Sequence, residues 1–429
     1  MSTPLSHLVL TDLAPAHRAG RSFGVTSVCS AHPTVLRAAI RRARRDGQPV
    51  LIEATCNQVN HLGGYTGMTP ADFVRFVERI AAEEGLDRGQ ILFGGDHLGP
   101  NPWRKEPAET ALVKAEAMVE AYVTAGFSKI HLDASMGCAG EPAALDDRTI
   151  AGRAARLAAI AEAAARKAGI APPLYILGTE VPVPGGADHV LDTVEPTAPE
   201  AAEATIAVHK AIFAEAGLGE AFSRVIAFVV QPGVEFGSDN VVAYQPEKAE
   251  ALSAVLATQP GLVFEAHSTD YQTQAALAAL VSDGYPILKV GPGLTFAYRE
   301  ALYGLDMIAS ELVPGYGQRP VAAAMEALMR AAPADWQGHY HGEEAALRLQ
   351  RHYSYSDRIR YYWNRPEADA AVAKLLQALD GVAIPETLLR QYLGGLPLAE
   401  IAGKGASEVL VTAVDQVLGL YAAACRPAA

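Results

Sequence analysis

Ionisable and amide side chains follow short apolar runs again and again in this chain. The first such groups are Glu53-Ala-Thr-Cys-Asn57-Gln58-Val-Asn60-His61, Gly94-Gly95-Asp96-His97, His131-Leu-Asp133-Ala-Ser135 and Gly178-Thr179-Glu180. Later ones are Gln231-Pro-Gly-Val-Glu235, His267-Ser268-Thr269-Asp270 and Lys289-Val-Gly291-Pro-Gly293. Such side chains bind metal ions, hold anions and move protons. Two histidines, one glutamate and two aspartates on one rim would suit Zn²⁺, Mn²⁺ or Co²⁺, because neutral imidazoles with a carboxylate bind these ions and leave a position open. A metal so placed polarises a substrate carbonyl and stabilises an enediolate, while a neighbouring carboxylate such as Asp96 moves a hydroxyl proton. Taken singly, His97 or Glu180 reads more simply as a hydrogen-bonded interior residue. Convergence of the set is what points to chemistry.

Convergence requires a scaffold, and the apolar runs provide one. Candidate strands are Phe23 to Val28, Pro49 to Ala54, Ile91 to Gly95, Lys129 to Leu132, Leu174 to Gly178, Val225 to Val230, Leu262 to Ala266 and Pro286 to Val290. Stretches of helical period separate them, starting near Pro33, Thr69-Pro70, Glu106, Asp146, Pro199, Gln245, Tyr271 and Phe296. Thr69-Pro70 pairs a capping residue with a proline at the first helical position, where the missing N–H costs nothing. Eight strand-helix units favour closure into an α/β (β/α)8 TIM barrel over an open doubly wound sheet, and barrels carry their active sites at the C-terminal strand ends. The loops after the last two strands supply Ser268, Thr269, Gly291, Gly293 and Thr295, where barrels commonly seat a phosphate on backbone amides. Beyond about Val313 the strand pattern stops. Residues 1–315 are therefore expected to form the barrel, with 316–429 a helical C-terminal extension packed on it. In that extension Ser356, Arg358 and Arg360 could reach a phosphate, since arginine binds such oxyanions with paired hydrogen bonds.

Composition narrows the class further. The formal charge of −13 repels polyanions, which argues against nucleic acid as a partner. Half of the 429 residues are hydrophobic and 19% are charged, as in a globular α/β protein. Four dispersed cysteines, Cys29, Cys56, Cys138 and Cys425, are expected as free thiols of a cytoplasmic protein. The apolar C-terminal stretch is interrupted by Asp415, so no membrane span is expected.

Glu53-Ala-Thr-Cys-Asn-Gln-Val-Asn60, Gly63-Gly-Tyr-Thr-Gly-Met-Thr-Pro70, Gly94-Gly-Asp-His-Leu-Gly-Pro-Asn101 and Tyr355-Ser-Asp-Arg-Ile-Arg-Tyr-Tyr-Trp363 resemble the Z-subunit family of tagatose-1,6-bisphosphate aldolase, over nearly the whole chain. Members are described as non-catalytic stabilising partners of a separate aldolase subunit, and some as ketose or ketose-6-phosphate 4-epimerases. An older label for them is tagatose-6-phosphate kinase, but this chain has no GxxxxGK[ST] loop to support a kinase.

The sequence also resembles class II aldolases more distantly. That resemblance makes Asp96 the acid/base and His97 a ligand, makes His267 a later ligand beside phosphate-contacting neighbours, and makes Lys289 to Thr295 a phosphate loop. Where those aldolases place a further histidine after strand six, this chain has Gln231-Pro232-Gly233, so Glu180 or Asp133 would complete the ligand set. The expected site is thus Asp96, Glu53 and Asp133 as catalytic carboxylates, with His97, Glu180 and His267 on a divalent metal, Zn²⁺ before Mn²⁺ or Co²⁺. Asn57, Gln58, Ser268, Thr269, Asp270, Lys289, Gly291, Gly293, Thr295 and Arg358 are expected on the sugar phosphate. The implied reaction is C4 epimerisation of tagatose or fructose 6-phosphate by retro-aldol cleavage, in tagatose or galactitol-type catabolism, by a homo-oligomer. The alternatives are a non-catalytic partner of an aldolase subunit and an epimerase of an unphosphorylated ketose or uronate.

Overall fold

The eight runs form eight parallel strands in the computed structural model, which describes residues 5–178 and 194–426. They are β1 (Val25–Cys29), β2 (Val50–Thr55), β3 (Ile91–Leu98), β4 (Lys129–Leu132), β5 (Leu174–Gly178), β6 (Val225–Val229), β7 (Val263–Ala266) and β8 (Ile287–Val290). Each pairs with its sequence neighbours, and β1 closes on β8 through Val25↔Ile287 to Val28↔Val290, so the expected (β/α)8 barrel is what the chain builds. A short antiparallel ribbon, Glu235–Phe236 with Val241–Val242, decorates the rim after β6.

Crossover helices follow the strands: α1 (Pro33–Asp46), α2 (Pro70–Glu84), α3 (Ala108–Thr124), α4 (Asp147–Ala168), α5 (Pro199–Glu215), α6 (Pro246–Ser253), α7 (Gln274–Ser282) and α8 (Pro292–Leu312). Thr69 and Asp72 make a reciprocal capping box at the start of α2, with Pro70 inside it. All four cysteines are free.

Strand alternation sorts the barrel interior into layers, because residues two apart face the same side. Leu51, Leu92, Leu174, Ile176, Val263 and Ile287 form the lower, apolar layer, closed from below by Leu10, Leu13 and Ala14 of the N-terminal helices. Two residues further along lie Glu53, Lys129, Glu265 and Lys289, a charged layer with at most 6% side-chain exposure. Two residues beyond these stand Asp96, His131 and His267. Gly94 belongs to the charged layer without filling it. A Cβ there would lie 2.5 Å from Glu53 Oε1, so glycine is what lets that carboxylate fit.

After α8 the chain is helical, as the loss of strand pattern implies. Its last helix, Ala406–Ala424, packs against α1, α7, α8 and β1, and Gly24 N–H donates to Cys425 O at 2.8 Å. This helix is long and apolar enough to cross a membrane, but half of it is buried against the barrel and its Asp415 pairs with Arg42 at 2.8 Å and Arg45 at 3.1 Å. Between these helices the segment around Tyr355 to Trp363 returns to the rim. Tyr355 N–H donates to Ser238 O (2.8 Å), Tyr271 Oη–H donates to Tyr355 O (2.6 Å), and Asn364 Nδ2 donates to Tyr65 O (2.6 Å).

Candidate active site

Asp96 and His97 are adjacent in sequence, yet both line the same pocket. In a regular strand they would face opposite ways. The register between β3 and β4 shifts between Gly95 and Leu98, and His97 adopts φ 49°, a left-handed conformation that a non-glycine residue holds only under constraint. The bulge therefore turns His97 back toward the barrel axis. There it meets His131 from β4 and His267 from the end of β7, with ring centroids 4.8, 4.9 and 5.2 Å apart.

Each imidazole has one nitrogen engaged away from the cluster. His97 Nδ1 is 2.8 Å from Asp133 Oδ2, His131 Nε2 is 3.3 Å from Gly178 O, and His267 Nε2 is 2.9 Å from Glu265 Oε1. An N–H donated to each oxygen leaves the other ring nitrogen as a lone pair, the arrangement that carboxylate–histidine pairs use to present imidazoles to a metal. His131 Nδ1 accepts the backbone N–H of His97 (3.2 Å) and lies 3.1 Å from Asp96 Oδ1. Burial pushes His131 below its ordinary pKa, toward the neutral ring. Donor atoms from Asp96, His97, His131 and His267 lie within 4.8 Å of one another.

The charge balance also suits a cation. Lys129 bridges Glu53 (2.6 Å) and Glu265 (2.7 Å), while Lys289 bridges Glu53 (2.5 Å) and Asp96 (2.6 Å). With Asp133, four buried carboxylates face two ammonium groups, so a divalent ion would neutralise the set. Burial alone would raise the Asp96 carboxyl, but the adjoining His97 imidazole and the Lys289 ammonium hold it well below the ordinary carboxylate range. Asp96 is thus an ionised carboxylate at the pocket floor. Burial is likewise outweighed at Asp133, which the hydrogen bond from His97 holds well below the usual range. The donor set fits Zn²⁺, Mn²⁺ or Co²⁺.

The structure redistributes several expected roles. Asp133 stands behind His97, its second oxygen taking Ser135 N–H (3.2 Å) and Oγ–H (2.7 Å), and it does not line the pocket. Glu53, expected as a catalytic carboxylate, is fully buried in the layer beneath, with its oxygens committed to two lysines. Glu180 lies outside the described residues. His131 on β4, for which no role was expected, joins the cluster, whereas Gln231 Oε1 accepts Gly233 N–H (2.8 Å) and Val234 N–H (2.9 Å) and shapes a turn.

Among the expected sugar-phosphate residues, Asn57, Gln58, Ser268, Asp270, Lys289 and Gly291 line the pocket. Thr269 and Gly293 do not. Thr269 Oγ–H instead donates to Lys289 O (2.7 Å), and Tyr421 of the last helix donates to Thr269 O (2.7 Å). Thr295 lines a neighbouring chamber and bonds Asp357 (2.6 Å). Arg358 points away, its Nε donating to Asp335 O, and Arg360 faces the pocket in its place. Lys129 and Glu265 were not singled out and His131, noted at the end of strand four, was given no role, although Lys129-Ile-His131-Leu-Asp133 and Glu265-Ala-His267 carry the period-two signal that sends alternate residues inward. Nothing local distinguishes Cys29, Tyr65, Phe236 or Tyr361, which complete the wall.

Fold and site together define a (β/α)8-barrel protein whose candidate site lies at the C-terminal strand ends, where barrel enzymes carry theirs. The chain belongs to the D-tagatose-1,6-bisphosphate aldolase subunit GatZ/KbaZ-like family, whose model matches residues 10–426. It is 75% identical over 416 residues to the D-tagatose 6-phosphate 4-epimerase of Agrobacterium fabrum, covering 97% of this chain and 98% of that protein. The crystal structure of a probable tagatose 6 phosphate kinase from Sinorhizobium meliloti 1021 superposes with a TM-score of 0.86 at 58% identity, covering 94% of this chain and 100% of that one. The chain is accordingly an enzyme.

Proposed function

We propose that this enzyme is a ketose 6-phosphate 4-epimerase that interconverts tagatose 6-phosphate and fructose 6-phosphate by breaking and re-forming the C3–C4 bond. The carrying observation is the position of Asp96, an ionised carboxylate in the pocket floor whose oxygen lies within 4.8 Å of ring nitrogens from three imidazoles. The name of the 75% identical relative supports the substrate. His97, His131 and His267 would hold a divalent ion, Zn²⁺ first, which when bound supplies the Lewis acidity that polarises a C2 carbonyl.

The remaining steps belong to the chain. Asp96 accepts the C4 hydroxyl proton, the C3–C4 bond electrons remain with C3 as a C2–C3 enediolate, and C4 departs as an aldehyde carbon. The aldehyde fragment turns its opposite face to C3, the bond re-forms, and Asp96 returns the proton to O4. No atom is gained or lost. Lys289, 2.6 Å from Asp96, favours the carboxylate before each transfer. Retaining the aldehyde fragment needs a closed site, which Tyr65, Phe236, Arg360 and Tyr361 help wall off. The loop from Asn57 to Met68 serves as fixed wall, because Asn60 Oδ1 accepts Leu62 N–H (2.9 Å) and Gly64 N–H (3.1 Å), and Thr66 Oγ–H donates to Gln58 O (2.7 Å).

The test is to incubate the purified chain with fructose 6-phosphate and Zn²⁺ or Mn²⁺ and to follow the sugars by NMR. Tagatose 6-phosphate should form, and Asp96→Asn and His97→Ala should each abolish it. Absence of conversion with any metal, with rescue of a separately supplied aldolase subunit, would replace this reading with a stabilising role.

A further inference from the structure

The amides expected to seat a phosphate are already taken. Asp270 Oδ1 accepts the N–H groups of Gly291 (3.0 Å) and Gly293 (2.7 Å), so a buried carboxylate of the chain itself occupies the start of α8. Lys289 is equally committed, to Glu53 and Asp96. The other pocket-lining cation is Arg360, and among the described residues no carboxylate pairs with it. Its Nη1 donates to the backbone oxygens of Ser356 and Asp357, its Nη2 to Tyr361 Oη (2.9 Å), and its guanidinium lies 4.4 Å from the Tyr361 ring centroid. These neutral partners orient the fork, while Asp357, Asp270 and Asp335 act on it only through space. The nearest acid in the segment, Asp357, is used by Arg299 (3.0 Å) and Thr295 (2.6 Å).

Arg360 stands where the catalytic pocket, of about 90 Å³, meets a second chamber of about 470 Å³. Cys29, Gln58, Tyr65 and Gly291 line both spaces, and Tyr298 and Trp363 help close the larger one. The chamber's carboxylate, Asp369, is exposed to solvent, and burial holds its His32 to a pKa of about 3, hence neutral. A half-buried, oriented guanidinium with no hydrogen-bonded carboxylate, at the junction of a reaction site and an adjoining space, suits the dianion at the far end of a substrate.

We propose that Arg360 reads the phosphate of the substrate, so that the C-terminal segment, rather than the amides at the start of α8, makes the enzyme select a phosphorylated ketose over a neutral one. The proposal rests on the epimerase reading for the identity of the sugar but not for the anion. Arg360→Gln should raise the KM for fructose 6-phosphate on the order of 10- to 100-fold, the scale of a lost charge-assisted hydrogen-bond pair, with a smaller fall in kcat. The ratio of kcat/KM for fructose 6-phosphate to that for fructose should collapse by a similar factor. Arg360→Lys should recover part of the loss, and guanidinium ion should partly restore Arg360→Gln. Direct titration of inorganic phosphate, followed by calorimetry on wild type and Arg360→Gln, decides the anion seat even if no turnover is found. Weaker phosphate binding by the variant supports the proposal, with thermal unfolding confirming that the variant is folded. Equal losses on both sugars, or phosphate binding unchanged by Arg360→Gln, would overturn it.

Discussion

Asp133→Asn separates a residue that acts through His97 from one that touches the substrate. The side chains of His97 and Asp133 are 7% and 6% exposed, and their 2.8 Å hydrogen bond fixes which ring nitrogen faces the site. Asparagine keeps the size and an acceptor oxygen but removes the charge that makes the imidazole a better donor. Losing such a partner typically weakens metal binding or activity about 10- to 100-fold, or about 1.4–2.7 kcal/mol. Ser135→Ala, which removes only the 2.7 Å bond to the other carboxylate oxygen, should cost a fraction of that. The assay is competition for Zn²⁺ or Mn²⁺ against a chromophoric chelator, paired with turnover at saturating metal. Asp133→Asn should bind metal more weakly and regain much of its turnover at saturation. Wild-type metal affinity together with a collapse of kcat at saturating metal would refute the reasoning and return Asp133 to the chemistry itself.

Two further outcomes follow from the buried charges. Lys289→Met leaves Glu53 and Asp96 facing each other without their shared ammonium, which should destabilise the fold by about 3–5 kcal/mol in urea unfolding at an unchanged m value; a loss below about 1 kcal/mol would mean that the network does not hold the barrel interior. Burial raises Asp270 to a pKa of about 6, the amides of Gly293 and Gly291 opposing it, so the folded state binds this proton more tightly than the unfolded chain. Its contribution to stability is therefore complete below about pH 4 and lost as pH rises through about 6. Asp270→Asn should abolish that dependence, gaining on wild type by about 1–1.5 kcal/mol between pH 5 and 7.5 in paired urea titrations; parallel pH profiles would contradict the assignment.

The strands, their order along the chain and the rim that carries the candidate site were legible in the sequence because they are local. Apolar runs with period-two alternation define strands, and the residues just after them define the C-terminal face. Asp96, His97 and His267 were readable on that basis. The same alternation also carried His131, Lys129 and Glu265 inward, a signal present in Lys129-Ile-His131 and Glu265-Ala-His267 that reads as unbroken strand when only the apolar run is sought.

What only the tertiary structure decided was which of these groups meet, and what each is left free to do. Lys129 on β4 can join Glu53 on β2 to Glu265 on β7 because closure brings three strands to one layer, a juxtaposition with no trace in the spacing of the residues. The β3 bulge puts two consecutive side chains on one face, against the alternation rule, and sets Asp133 behind His97. Asp270 fills the amides that the glycines after β8 advertise, and the fold of the C-terminal segment turns Arg360, not Arg358, to the pocket. Sequence sets the direction of a side chain from its own strand, whereas its partner comes from another strand at a distance fixed by barrel closure.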